Sequence, residues 1–135
     1  MKNILGYRDF STQNTIRKAI KTSINYSGED IYATEIFNFF ETSQQKTWCV
    51  VSPKRLYVIL DDIRKEGLRV NKSYRIRSLL DENELNIRVD PDYRRTYGRI
   101  FFADTKRGWL YSKSLFPVAN ELKSKFASTI RKVMI

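Results

Sequence analysis

From Ile16 onward the apolar positions Ile16, Ala19, Ile20 and Ile24 recur at helical spacing, while Arg17, Lys18 and Lys21 fall elsewhere around the wheel. Ser11 and Thr12 stand in front of this run, and Tyr26-Ser27-Gly28-Glu29-Asp30 supplies a loop behind it. The spacing therefore predicts an amphipathic helix ending near Asn25. Beyond that point the pattern shortens. Ile31–Phe40, Lys46–Val51 and Arg55–Asp61 are dense in β-branched and aromatic residues and are expected to be strands. Ile36, Phe39 and Phe40 in the first of them would also suit a helix. Ser52-Pro53-Lys54 reads as a compact turn, which predicts a hairpin from Thr47 to Leu60.

Four more strands are expected at Ser73–Leu80, Glu84–Val89, Thr96–Ala103 and Gly108–Tyr111, separated by Asp81-Glu82-Asn83, Asp90-Pro91-Asp92 and Asp104-Thr105-Lys106. In Glu84–Val89 the alternation places Leu85, Ile87 and Val89 on one face and Glu84, Asn86 and Arg88 on the other. In Ser73–Leu80 it places Arg75 and Arg77 together, opposite Tyr74 and Ile76. Pro117 then opens a second amphipathic helix, with Ala119, Leu122, Phe126, Ile130 and Val133 on one stripe and Lys123, Lys125, Arg131 and Lys132 mostly away from it. No repeat or linker interrupts the order helix, strands, helix. The expectation is a single α+β domain over residues 1–135: an N-terminal helix in 1–25, an antiparallel meander of about six to seven strands, and a C-terminal helix.

Composition narrows the chemistry. The chain has 135 residues, 41% of them hydrophobic and 13% aromatic, enough for one packed core. It has no His and one Cys, which excludes histidine-dependent triads, most zinc sites and an internal disulfide. Cys49 lies in an apolar run and is expected to be a small buried hydrophobe. Serines such as Ser52, Ser112 and Ser114 have no histidine to activate them. Asp61, Asp62 and Glu66 are of the type magnesium takes, yet Arg64 and Lys65 compete for them and Gly67 invites a turn, which is the expected use. No catalytic residue, metal, cofactor or small-molecule substrate is assigned. The first residues lack the apolar core of a secretory signal and no apolar run approaches bilayer length, so a cytoplasmic protein is expected.

Charge changes the picture most. The formal net charge is +10, divided as +4 over residues 1–25, −3 over 26–63, +5 over 64–107 and +4 over 108–135. A polarised surface follows, one that steers an anionic partner to one side. Arg75, Arg77, Arg94, Arg95, Arg99, Lys106 and Arg107 are the candidate anion or nucleic-acid ligands, with Tyr93, Tyr97 and Trp109 as candidate stacking residues. Guanidinium groups beside aromatic rings suit phosphate contact and base stacking. The same arginines would also suit a solvated sheet face, paired with Asp81, Glu82, Asp90, Asp92 and Asp104. Tyr97-Gly98-Arg99-Ile100-Phe101-Phe102 has the basic-glycine-aromatic order of an RNA-recognition strand, but the helix alternation of that fold is absent.

The stretch Val50-Val51-Ser52-Pro53-Lys54-Arg55-Leu56-Tyr57-Val58, followed by further strands and one closing helix, resembles bacterial PH-type and GRAM-like domains of the pleckstrin-homology-like superfold. The resemblance covers Ile31–Ile135 and leaves the first helix as an addition. It implies a partly open β-barrel capped by the C-terminal helix, acting as a scaffold for a protein partner or sometimes a lipid headgroup, and not usually an enzyme. The lysine-then-arginine signature of phosphoinositide-binding members has no match between Phe37 and Val51, where Lys46 is the one basic residue. The expected function is a non-enzymatic interaction module whose partner is a protein, with strand addition at a sheet edge as the expected mode. A basic nucleic-acid-binding protein is the alternative, and docking on an anionic membrane surface the third.

Overall fold

The computed structural model describes residues 6–31, 35–81, 84–103, 105–116 and 119–134. Helix α1 spans Gln13–Lys21, with the Thr12 hydroxyl accepting from the Thr15 amide at 3.2 Å and Lys18 and Lys21 in the last turn, where they complement the helix dipole. It stops short of Asn25. Ser23 and Tyr26 amides turn back onto Ile20 and Ser23 carbonyls, so Ile24 leaves the apolar stripe and is 97% exposed.

Strands β1 (Glu35–Glu41), β2 (Gln45–Val51), β3 (Arg55–Asp62) and β4 (Lys72–Arg75) form one antiparallel sheet in that order. The first segment is thus a strand, and a bulge between Asn38 and Phe40 rotates Phe39 into the core. Thr47 pairs with Leu60, as expected of the hairpin. Strand β7 (Ile87–Asp90), β8 (Tyr97–Phe102) and β9 (Trp109–Ser112) form a second sheet, and between the two sheets come helix α2 (Ile76–Leu79) and a small hairpin of β5 (Leu80–Asp81) and β6 (Glu84–Leu85). Helix α3 is Ala119–Met134; Pro117 lies outside the described residues.

Two expectations are corrected. Ser73–Leu80 is not one strand: after Tyr74 the next apolar residues, Ile76 and Leu79, are three apart, and a helical turn buries both where a strand would send them to opposite faces. Glu84–Val89 is broken at Asn86, whose amide bonds the Leu79 carbonyl while its carbonyl accepts from Ala103. Leu85, Ile87 and Val89 nevertheless all pack on the core. The seven principal strands are divided between sheets of four and three, and the described residues form no closed barrel.

The main core lies between the sheets under α3. Phe126 sits at its centre, 5.0 Å from Phe102, 5.1 Å from Phe37 and 6.0 Å from Phe39 between ring centroids. With Leu122 and Ile130 it is fully buried, each side chain contributing about 1.5–3 kcal/mol. The sheets are tied by Trp109 Nε1, which donates to the Tyr74 hydroxyl at 2.7 Å inside the core. A second core lies on the opposite face of β2 and β3, where Ile16 and Ile20 of α1 meet Val50, Tyr57 and Ile59. Asp61 locks this layer: fully buried, it accepts from Arg8 at 2.7 Å, the Ser11 amide at 2.8 Å and Trp48 Nε1 at 3.1 Å.

Candidate functional site

The two turns of an antiparallel three-stranded sheet lie at opposite ends, so the candidate cations cannot all converge. Arg94 and Arg95 belong to the β7–β8 connection, Lys106 and Arg107 to the β8–β9 connection, and Arg75 and Arg77 to the junction of β4 and α2. The candidate residues therefore fall into separate groups.

The first group is a strip on the outer face of β7–β9. Alternation turns Arg88, Arg99 and Phe101 outward, and Phe101 pairs with Arg88 across the strands. Arg94 lies 4.4 Å from the Tyr93 ring centre and Arg99 4.1 Å from the same ring; Arg99 and Arg88 then approach Phe101 at 5.2 and 4.2 Å. Tyr97 extends the strip, 6.2 Å from Tyr93 and 5.9 Å from Phe40. Arg99 also bonds Asp90 at 2.9 Å, which holds that carboxyl below its ordinary range, and its buried Nε has no hydrogen-bond partner among the described residues. Two glycines permit this packing. A Cβ on Gly98 would stand 2.7 Å from the Asp90 carbonyl and from the Tyr111 ring, and one on Gly108 would stand 2.9 Å from the Phe101 ring.

At the other end Arg107 lies 4.2 Å above the Trp109 ring. That indole is 4% exposed with its N–H committed to Tyr74, so Trp109 is core packing and not a stacking platform. Lys106 is exposed beside it, as Arg95 is in the other connection.

The second group is a cleft of about 640 Å³ where the Ser52–Lys54 turn meets the end of β4. Arg75 and Arg77 line it together with Lys54 and Arg55, over a floor that includes Ile76 and Leu80. Arg55 and Arg75 are directly opposed across β3 and β4. The Ile76 amide bonds the Lys54 carbonyl at 3.0 Å, which makes the neighbouring Arg55–Arg75 pair a non-hydrogen-bonded one, the closer kind. Like charges so placed repel. Arg55 has one side-chain bond, to Ser73 Oγ at 3.1 Å, and among the described residues no carboxylate bridges Lys54, Arg55, Arg75 or Arg77. Glu29 is nearby in sequence to the lining residue Ser27 but is turned inward. Burial pushes its carboxyl up, and hydrogen bonds from Tyr57 and Ser27 outweigh this and hold it below the ordinary value. Burial, with the same bond, pushes the Tyr57 hydroxyl well up.

Sequence reasoning passed over Lys54 and Arg55, although both stand in the quoted hairpin, and Arg88, which the Glu84–Val89 alternation had already placed outward. It also passed over the Ser-x-x-Lys spacing at Ser43 and Lys46. Lys46 there bonds Glu41 at 3.2 Å and lies over the rings of Phe10 and Trp48. Asp62 is held well below the carboxylate range, chiefly by Arg64, and Cys49 is fully buried with its thiol pushed up by that burial. Among the described residues no group of three metal-ligating side chains forms and no helix is long and apolar enough to cross a membrane. Comparison with family models, curated proteins and solved structures finds no match.

Proposed function

We propose that this chain is a non-enzymatic interaction module with a pleckstrin-homology-like scaffold, and that its ligand is another protein. The element order supports the scaffold: four strands, then three, then one amphipathic helix packed between the sheets. The observation that carries the function is the cleft at the end of β4, where four cations surround an apolar floor without an internal counter-charge among the described residues. Cations around apolar surface suit a ligand with both negative and apolar groups, as a folded or extended protein segment has.

A photo-crosslinking residue placed at Lys54, beside the cleft, tests this in native lysate against the same residue at Asn14 on the exposed face of α1. Protease-sensitive adducts specific to position 54 are expected. Adducts sensitive to nuclease instead, or none at all, would contradict a protein ligand.

The strip of Arg94, Tyr93, Arg99 and Arg88, laid over the buried Phe101, supports a second reading, single-stranded nucleic acid bound across the three-stranded sheet. Such binding would weaken steeply with salt, with a slope of roughly −0.7 per phosphate contact. Docking on anionic membrane remains a third use for the basic helix faces and would show as sedimentation only with acidic-lipid vesicles.

A further inference from the structure

β4 is an edge strand among the described residues: β3 lies on one side of it and no described strand on the other. The register fixes which of its backbone groups are unpaired. Ile76 N–H bonds Lys54 and the turn closes through Ser52 N–H to the Arg55 carbonyl, so Arg55 faces β2 while Lys54, Leu56 and Val58 face β4. Tyr74 and Lys72 therefore pair with β3, and the N–H and C=O of Ser73 and the N–H of Arg75 point away from the sheet, while the Arg75 carbonyl, at the N-cap of α2, accepts the first bond of that helix. Among the described residues neither Ser73 nor the Arg75 N–H bonds the backbone of a turn or loop.

Exposed edges in proteins are commonly blunted by charge, and Lys72 and Arg75 alone would serve that purpose. Blunting does not account for Arg55, which lies on an interior strand, nor for its placement opposite Arg75. It also does not account for the apolar floor of Ile76 and Leu80 next to the edge. All these features meet if a further strand continues the row that runs from Arg55 to Arg75.

We propose that the outer edge of β4 takes up an extended segment of the partner as an added antiparallel or parallel strand, with acidic side chains at every second position. An acidic residue beside Arg75 would sit on the same face as Arg55 and neutralise both guanidinium groups. The residues between the acids would continue the row of Leu56 and Tyr74 on the core side, where apolar side chains belong. This rests on the interaction-module proposal and names the partner's chemistry and the place it binds.

The probe is a short labelled peptide alternating Glu with Val, followed by fluorescence anisotropy, against a peptide of the same composition with the Glu and Val residues in two blocks. Three variants accompany it. Ser73→Pro removes an outward-facing N–H and no backbone bond to β3, together with the Ser73 Oγ to which Arg55 donates; Arg75→Glu reverses the central charge; Lys123→Glu makes the same charge change on exposed α3. The alternating peptide should bind, the block peptide should bind about tenfold more weakly, and Ser73→Pro and Arg75→Glu should each weaken binding about tenfold or more. Lys123→Glu should change it less than about twofold.

If Ser73→Pro disturbs the fold, N-methylation of alternate peptide amides gives the same information without altering the protein. One set of methyl groups should abolish binding and the interleaved set should not. Equal binding of both peptides, equal loss in Lys123→Glu and Arg75→Glu, or indifference to N-methylation would overturn strand addition. So would preference of this edge for a single-stranded oligonucleotide or an acidic-lipid vesicle over the peptide. Protein adducts from position 54 that persist in Ser73→Pro and Arg75→Glu would overturn the edge proposal while leaving the interaction module standing; absence of adducts in every form would remove the module itself.

Discussion

Arg99 and Arg75 both project from strands near the surface, yet their surroundings differ in kind. Arg99 is held between the rings of Tyr93 and Phe101 and bonds Asp90, and its neighbours Arg88 and Arg94 also lie on rings. Arg75 faces another arginine across the ladder, at the mouth of a cleft with two further cations. In the strip the positive charge is matched by π faces and a carboxylate, so it contributes to the folded state. In the cleft no carboxylate among the described residues matches it, so the like-charge pair opposes the folded state. Equal density of arginine in a sequence can thus mean two things, and the partner on the opposite strand decides which.

The comparison is broken most strongly by filling the space beneath the strip. Gly98→Ala would push a Cβ against the Asp90 carbonyl and the Tyr111 ring, atoms that cannot swing away, at a cost of about 1–3 kcal/mol. Urea denaturation should show that loss. Hydrogen exchange should place the accompanying disturbance in β7–β9 and leave the Ser52–Lys54 turn unchanged.

Acid sharpens the same contrast with a smaller effect. The Arg99 bond lowers the carboxyl of Asp90 in the folded state, so the associated stability is present above the ordinary aspartate range and is lost as pH falls through the lowered value. The difference in stability between wild type and Arg99→Gln should therefore shrink in acid. The difference between wild type and Arg75→Gln should not follow that curve, because no carboxylate bonds Arg75 among the described residues. Denaturation midpoints measured from neutral pH down through the aspartate range check both.

Much of the fold was legible along the chain. The capped helix at Gln13–Lys21, the hairpin through Ser52-Pro53-Lys54 and the stripe of Leu122, Phe126 and Ile130 follow local rules of period and turn chemistry, which one sequence displays. The failures came where tertiary context chose between local options. Ile76 and Leu79 carry a helical spacing inside what otherwise reads as strand, and one turn of helix is too short to announce itself by periodicity. The near-continuous apolar runs of Trp48–Val51 and Leu56–Leu60 reflect burial on both faces of β2 and β3, by α3 and the second sheet on one side and by α1 on the other. For the site, alternation turned Arg88 and Arg75 outward, while Arg77 lies in α2, where the period of two does not apply. What no local rule carries is which arginine stands across from which, and the pairing of Arg55 with Arg75 is a property of register alone.

The most direct measurement compares two double variants by chemical denaturation, Arg55→Gln with Arg75→Gln and Arg88→Gln with Arg99→Gln, at low salt and neutral pH. Removing the cleft pair should leave stability unchanged or raise it by up to about 0.5 kcal/mol, since a like-charge cross-strand pair is relieved. Removing the strip pair should lower stability by about 1–2 kcal/mol through the lost ring contacts. A cleft variant destabilised as much as the strip variant would show that Arg55 and Arg75 belong to the fold, and would contradict their assignment to a partner.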